Sequence, residues 1–285
     1  MGRLYPRMRE RPPEFRINYE SPLWPHLIFS GLGGAGCMGS RVYPDMSPYR
    51  RDTRTYGRAS NWIWIPELSR YAKRFAGESD VAVAYNVYDF PKPGPCTVAC
   101  WVSGDNVTGY NGIISYNDGG NFGWRLVYSP NGYLRYTIGN IADKDFTTLP
   151  VASGEHYFLF LTATDIPSTI HLLRFKNYST FETGSVSFSR WAGTPDRVSV
   201  GANRATAEYP LIGWLADILV WNSLLPQSIG YQLADPSNVD LRVGGVPLIL
   251  PPRRRFWPVA EAPPAVQIFS RRQFGPRIGT RQVQV

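Results

Sequence analysis

Apolar and aromatic runs of strand length recur through the middle of the chain, separated by turn clusters, which is the punctuation of an all-β protein. CTVACWVS (96–103) is followed by the polar loop GDNVTGYN and then GIISY (112–116). The loop NDGGN leads into FGWRLVYS (122–129), and Pro130-Asn131-Gly132 predicts a tight hairpin turn into YLRYTIG (133–139). Asn-Gly supplies the positive φ angles that such turns need. HYFLFLTAT (156–164) and STIHLLRF (168–175) flank a second hairpin signal, Asp165-Ile166-Pro167. SVSFSRW (185–191), RVSVGA (197–202) and GWLADILVWN (213–222) complete the series. In the last, Trp214, Ala216, Ile218 and Val220 alternate with Leu215, Asp217, Leu219 and Trp221. Both faces are largely apolar, as a central strand of a two-sheet sandwich requires.

Only LLPQSIGYQLADP (224–236) reads as a helix. Pro226 suits a first helical turn, Ile229 and Leu233 share a face, and Pro236 ends it. Many regular strands with one late helical turn predict a β-sandwich of jelly-roll type. The ends follow no such pattern. Residues 1–25 scatter five prolines among arginines, and residues 247–285 interrupt every potential helix with proline. The tail still carries Phe256, Trp257, Val266, Ile268, Phe269, Phe274 and Ile278, more apolar bulk than a solvated linker needs. The expected organisation is an extended basic arm over 1–25, a sandwich over 26–246 and an extended Pro/Arg-rich arm over 247–285.

Charge sharpens that division. Residues 1–74 hold 13 Lys/Arg against 6 Asp/Glu, residues 75–249 hold 10 against 15, and residues 250–285 hold 7 against 1. Cationic ends on a mildly acidic body suggest contact with an acidic surface, protein or nucleic acid. Arginine also suits protein interfaces, pairing with carboxylates and stacking on rings, so protein contacts are favoured here. The arm residues expected to dock are Arg7, Arg9, Arg11, Arg253, Arg254, Arg255, Phe256, Trp257, Arg271 and Arg272. The chain of 285 residues has no apolar run of membrane-spanning length, and its first residues show no apolar leader segment. Cys96 and Cys100 lie on one strand face about 13 Å apart, too far for a disulfide, so they read as small buried residues suited to a reducing cytoplasm.

Several segments resemble the laminin-G / concanavalin A-like lectin family. Phe75 to Asp80 is similar to its "F-D-G-x-D-D-Y-V" segment, Thr97 to Val102 to "F-T-I-S-A-W-V", and Gly112 to Ser115 to the next strand. Leu211 to Asn222 is similar to "F-x-G-x-I-D-E-V-R-I-Y-N", and residues 224–229 to the helical turn that follows it. The likeness spans roughly residues 17–240 and implies a concanavalin A-like jelly roll. A narrower likeness joins INYESPLWPHLIFSGLGG (17–34), Tyr43 to Ser47 and PPRRRFWP (251–258) to laminin-G-like proteins of tailed bacteriophages. That resemblance implies a virion-associated protein, assembled in the host cytoplasm.

Chemistry is tested against this frame. Glycan hydrolases on the fold use paired carboxylates on one strand face, at separations that set the stereochemistry. GWLADILVWN offers Asp217 alone, and Asp143 and Asp145 are placed in a loop. No nucleophile elbow accompanies His26, His156 or His171, and no zinc spacing accompanies the cysteines. The expectation is therefore that the protein is not an enzyme and needs no cofactor. Calcium is the one allowance, through Asp118 with Asn117 and Asn121, although a turn of Asn, Asp and Gly forms without an ion. For sugars, Trp124 and Tyr128 beside the NDGGN loop are the candidate stacking platform, with Asn121 next to them. Two functions follow. The first is a structural virion protein, a capsid decoration (cement) protein docking through its basic arms. The second is a tail or fibre adhesin recognising host glycans. Expected partners are capsid or other virion proteins, further copies of the chain and host glycans, with nucleic acid disfavoured against protein contacts and no membrane.

Overall fold

The computed structural model describes residues 21–31, 47–49, 51–56, 62–68, 70–77, 80–88, 94–118, 123–139, 141–165, 168–176, 180–189, 193–203 and 209–235, with residues 45 and 90 and short strands at 16–17, 42–43, 242–243, 246–247 and 249–250. Strands β1 (Arg16–Ile17), β2 (Leu27–Gly31), β3 (Val42–Tyr43), β4 (Thr53–Tyr56), β5 (Trp62–Ile65) and β6 (Arg70–Ala76) come first. β7 (Val81–Tyr85), β8 (Cys96–Gly104), β9 (Asn111–Asn117), β10 (Gly123–Tyr128) and β11 (Tyr133–Ile138) follow. Next are β12 (Ala142–Pro150), β13 (His156–Ala163), β14 (Ser168–Lys176), β15 (Thr180–Phe188), β16 (Arg197–Val200) and β17 (Ile212–Trp221). Helix α1 (Gln227–Ala234) precedes three two-residue strands, β18 (Arg242–Val243), β19 (Val246–Pro247) and β20 (Ile249–Leu250).

Two antiparallel sheets form the sandwich. The front sheet runs β12-β11-β10-β9-β16-β7-β4-β3 and the back sheet β15-β14-β13-β8-β17-β6-β5, with β2 also pairing with β17. The Asn131-Gly132 turn joins β10 to β11 as the sequence predicts, with Gly132 at φ +76°. Strict alternation then fills the space between the sheets. Trp124, Leu126, Tyr128, Tyr136 and Ile138 from the front meet Cys100, Val102, Leu159, Leu161, Leu172 and Val220 from the back. Cys96 and Cys100 are buried thiols outside any disulfide, and burial pushes both up to about 12.

The back sheet is apolar on its other face too, for a reason the strand pattern alone does not contain. Trp101, Phe158, Phe160, Phe175, Trp214 and Trp221 form a second core under Ile229, Leu233 and Ala234 of α1, with Leu23, Leu27 and Leu68 completing the cover. Each large side chain here gains roughly 1.5–3 kcal/mol by leaving water. The apolar double face of β17 thus reflects a helix-covered sheet, and the packing of the body reaches back to Ser21 and Leu23. β17 pairs first with β6 through residues 212–215 and then with β2 through 218–221. A bulge between Ala216 and Leu219, with Asp217 at φ +48°, marks the change of partner.

Two sequence expectations need correction. Residues 142–150 form strand β12, not a loop, so Asp143 and Asp145 stand on one face of a strand. The strand expected over 185–191 lies at Thr180–Phe188 instead. β12 lies against the edge strand β15, where Thr148 Oγ1 donates to the Thr183 carbonyl at 2.8 Å and Lys144 Nζ to the Ser187 carbonyl at 2.6 Å. Side chains therefore occupy edge groups that would otherwise template another strand. At the termini, β1 and β20 pair antiparallel, Arg16 with Leu250 and Ile17 with Ile249. The chain divides into a unit over residues 1–253 and a segment over 254–285 that lies outside the described residues.

Candidate functional site

The outer face of the front sheet is polar across β9, β10, β11 and β16, a direct result of strand periodicity, with Ser115, Asn117 and Ser199 buried in it, and is apolar at β7, where Val81 and Val83 cluster with Ala202. Residues that alternate with the core positions Trp124, Leu126 and Tyr136 must point outward. Arg125 stands opposite Ser115 and Thr137, Ser199 opposite Ser115, and Arg135 opposite Asp145. Asn117 ties its row together, donating from Nδ2 to Ser115 Oγ at 2.9 Å and Ser199 Oγ at 3.2 Å. Arg125 donates to Asn203 Oδ1 at 3.4 Å.

Arg135 is the centre of the most developed cluster. Its Nε donates to Asp145 Oδ1 at 2.6 Å and its Nη2 to Asp145 Oδ2 at 3.0 Å, a two-pronged pair. Nη1 reaches Tyr110 Oη at 2.7 Å and Asp143 Oδ2 at 3.3 Å. Asn131, in the hairpin turn, donates to Asp145 Oδ2 at 2.8 Å. The Arg135 guanidinium and these hydrogen bonds hold the Asp145 carboxyl below the usual carboxylate range. Asp145 is 13% exposed and Asp143 47%, so the outer carboxylate of the pair meets solvent.

Two loop tyrosines extend the cluster. Tyr110 precedes β9 and Tyr209 precedes β17, and their rings lie 5.2 Å apart at 51°. They are 37% and 48% exposed, and the Arg135 guanidinium lies 5.3 Å from the Tyr110 ring centre. Tyr209 takes a φ of +48°, uncommon for a bulky residue, while its carbonyl accepts from the Gly112 N–H at 2.8 Å. The backbone bond holds the ring in place at the cost of a strained conformation, a pattern that concentrates at binding sites. Exposed aromatic faces beside a solvent-facing carboxylate can take apolar C–H surface and hydroxyl donors at once.

The residues singled out in the sequence fare differently. Trp124 and Tyr128 are 1% and 0% exposed and offer no platform. They share an inward parity with Leu126, and Trp124 stacks on Tyr136 at 5.8 Å and on Phe90 at 6.1 Å. Asn121 lies outside the described residues, as do Arg7, Arg9, Arg11, Arg253, Arg254, Arg255, Phe256, Trp257, Arg271 and Arg272. Asp118 is half-buried, and its charge acts on Arg197. Among the described residues no three His, Cys, Asp or Glu side chains gather as a metal cluster would. Tyr110 and Tyr209 escaped notice because they lie in separate loops about a hundred positions apart. The one local signal is a tyrosine one residue before β9 in the first case and three residues before β17 in the second.

No protein-family model matches the chain, and no curated protein matches it. Solved structures do resemble it. The botulinum neurotoxin serotype D binding domain superposes with a TM-score of 0.52 at 13% identity, over 74% of this chain and 53% of that one. Trypanosoma rangeli sialidase in complex with sialic acid gives 0.51 at 18% identity, over 72% and 32%. The same sialidase as a covalent intermediate gives 0.51 at 19%, over 72% and 32%. The chain spans about half the length of the toxin domain and about a third of the sialidase.

These neighbours correct the expectation that the protein is not an enzyme. Enzymes are among the chains that share its fold, and Asp143 and Asp145 stand two residues apart on a strand, not in a loop. The likeness is one of fold and assigns no reaction. In architecture the chain is an all-β sandwich of two antiparallel sheets, the fold it shares with these structures.

Proposed function

We propose that the protein binds glycans through the outer face of its front sheet, with Tyr110 and Tyr209 as the stacking surface and Asp143 as a hydroxyl acceptor. The exposed tyrosine pair, fixed against Arg135 and the Gly112 backbone, carries this reading. Fold neighbours that include a sialidase in complex with sialic acid support it as context. The full-length chain is expected to bind on a glycan array carrying both sialylated and neutral oligosaccharides. Tyr209→Ala should weaken that binding at least tenfold, about 1.4 kcal/mol or more, as removal of an aromatic anchor does. Tyr110→Phe keeps the ring and should retain most of it. An array silent for the wild type, or a Tyr209→Ala variant that binds unchanged, overturns the assignment.

A second reading rests on the termini. The basic ends, whose roots meet in the β1–β20 ladder, suit a protein that docks on an acidic surface. Together with the bacteriophage resemblance this supports a virion location and capsid decoration through protein contacts. Two arms leaving one place can engage neighbouring subunits together and gain avidity. Deleting residues 251–285 should abolish co-sedimentation with particles while the body's unfolding transition persists. Unchanged co-sedimentation defeats this reading.

A further inference from the structure

A groove of about 350 Å³ lies at the seam where the two sheets meet, and neither Tyr110 nor Tyr209 is in its lining. One wall is β12 from Asp145 to Thr148, the other is β15 from Thr183 to Ser185, and Gln227 at the start of α1 closes one side. Phe146, Leu172 and Leu173 lie beneath it with their side chains buried in the two cores, and the exposed His171 of β14 reaches it from the back sheet. The volume falls at the lower end of the range for small-molecule pockets, roughly 300–1,000 Å³.

The backbone of β12 is shaped around this groove. Arg135 pairs with Asp145 and Tyr133 with Pro150, so residues 146–149 stand opposite Leu134 alone. This irregular bulge turns Thr147 and Thr148 out of the ladder and towards β15, and bulges of this kind re-aim side chains at sites. Gly184 lets β12 come this close. A Cβ there would sit 3.0 Å from Thr148 Oγ1 and 3.1 Å from Phe146 Cδ1.

The lining chemistry selects the ligand. Thr147, Thr148, Thr183, Ser185 and Gln227 present neutral groups that both donate and accept, and these side chains are exposed. Thr148 gives its proton to the Thr183 carbonyl and keeps its lone pairs for a ligand hydroxyl. The one carboxylate in the lining, Asp145, is held by Arg135, and no lysine or arginine lines the groove among the described residues. Neutral walls rich in hydroxyl and amide groups match the hydroxyl rim of a neutral sugar, which both donates and accepts. We propose that this groove is a second carbohydrate site, specific for a neutral sugar and independent of the tyrosine pair.

His171 serves as a reporter, being one of only three histidines in the chain. The full-length protein is titrated with methyl glycosides of glucose, galactose and mannose while the imidazole NMR signals are followed, with His171→Gln assigning the resonance. At least one glycoside is expected to shift the His171 signal saturably, and Tyr209→Ala should leave that titration unchanged. Ser185→Trp, which fills the groove from an exposed position, should weaken binding at least tenfold. Thr147→Val and Thr183→Val, which keep shape and remove a hydroxyl, should each weaken it several-fold. A His171 signal unmoved by all three glycosides overturns the proposal, as does a titration abolished by Tyr209→Ala or untouched by Ser185→Trp and both valine variants. Array binding lost in Tyr209→Ala while His171 stays silent would leave the tyrosine site standing and remove this one.

Discussion

Arg135→Ala is expected to lower the unfolding free energy by about 3 kcal/mol at neutral pH, the scale for removing one partner of a buried ion pair. Both side chains are nearly enclosed, at 10% exposure for Arg135 and 13% for Asp145. The truncation leaves the carboxylate to the hydrogen bonds of Asn131 and Ser129 and takes the Arg135 donor away from the hydroxyl of Tyr110. The pH dependence gives the effect a signature. Asp145 is held below its ordinary value of 3.8, so its contribution is complete above that value and is lost as pH falls through the folded-state pKa. Urea unfolding of wild type and variant should therefore differ most near pH 7 and converge in strong acid. Equal midpoints at pH 7 would show that the network adds no stability.

Gly201→Ala is expected to cost a similar amount for an unrelated reason. Gly201 follows β16 with φ +76°, and a Cβ there would lie 2.2–2.6 Å from three ring atoms of Phe75. Phe75 is fully buried in the core between the sheets and has no solvent to swing into. Left-handed backbone costs an alanine roughly 1–2 kcal/mol and overpacking adds roughly 1–3, so about 3 kcal/mol is anticipated. The Gly201 carbonyl also accepts from the Leu211 N–H at 2.8 Å, two residues beyond Tyr209. Glycan binding should weaken along with stability. A denaturant midpoint within error of the wild type would mean that the close approach to Phe75 is relaxed in solution.

The all-β sandwich was legible because its central strands obey simple rules. Residues 96–103 and 133–139 combine β-branched and aromatic side chains with clear turn signals, and their strands appear within a residue or two of expectation. Helix α1 was legible from Ile229 and Leu233, both buried as their spacing requires. β12 was not. ADKDFTTLP lacks an unbroken alternation because its middle bulges away from β11, and pattern reading took it for a loop. Within Tyr43 to Ser47, Asp45 is buried and accepts from the backbone N–H groups of Ser30, Ser47 and Arg51, a role its residue type alone does not reveal. The candidate site was the least legible part. Trp124 and Tyr128 drew attention by residue type, yet the alternation Trp-Arg-Leu-Val-Tyr already turns them inward with Leu126. Tyr110, Arg135 and Tyr209 meet only once three separate hairpins and loops have folded.

The β1–β20 ladder has a mechanical consequence. Its two strands run antiparallel and the flanking chain departs from the same end, beyond Arg16 on one side and Leu250 on the other. Tension applied through both flanking segments would unzip the ladder rung by rung instead of shearing it. With two rungs it would yield at low force, well before the long strands of the sandwich bear load, and act as a shock absorber between the body and whatever holds the chain's ends.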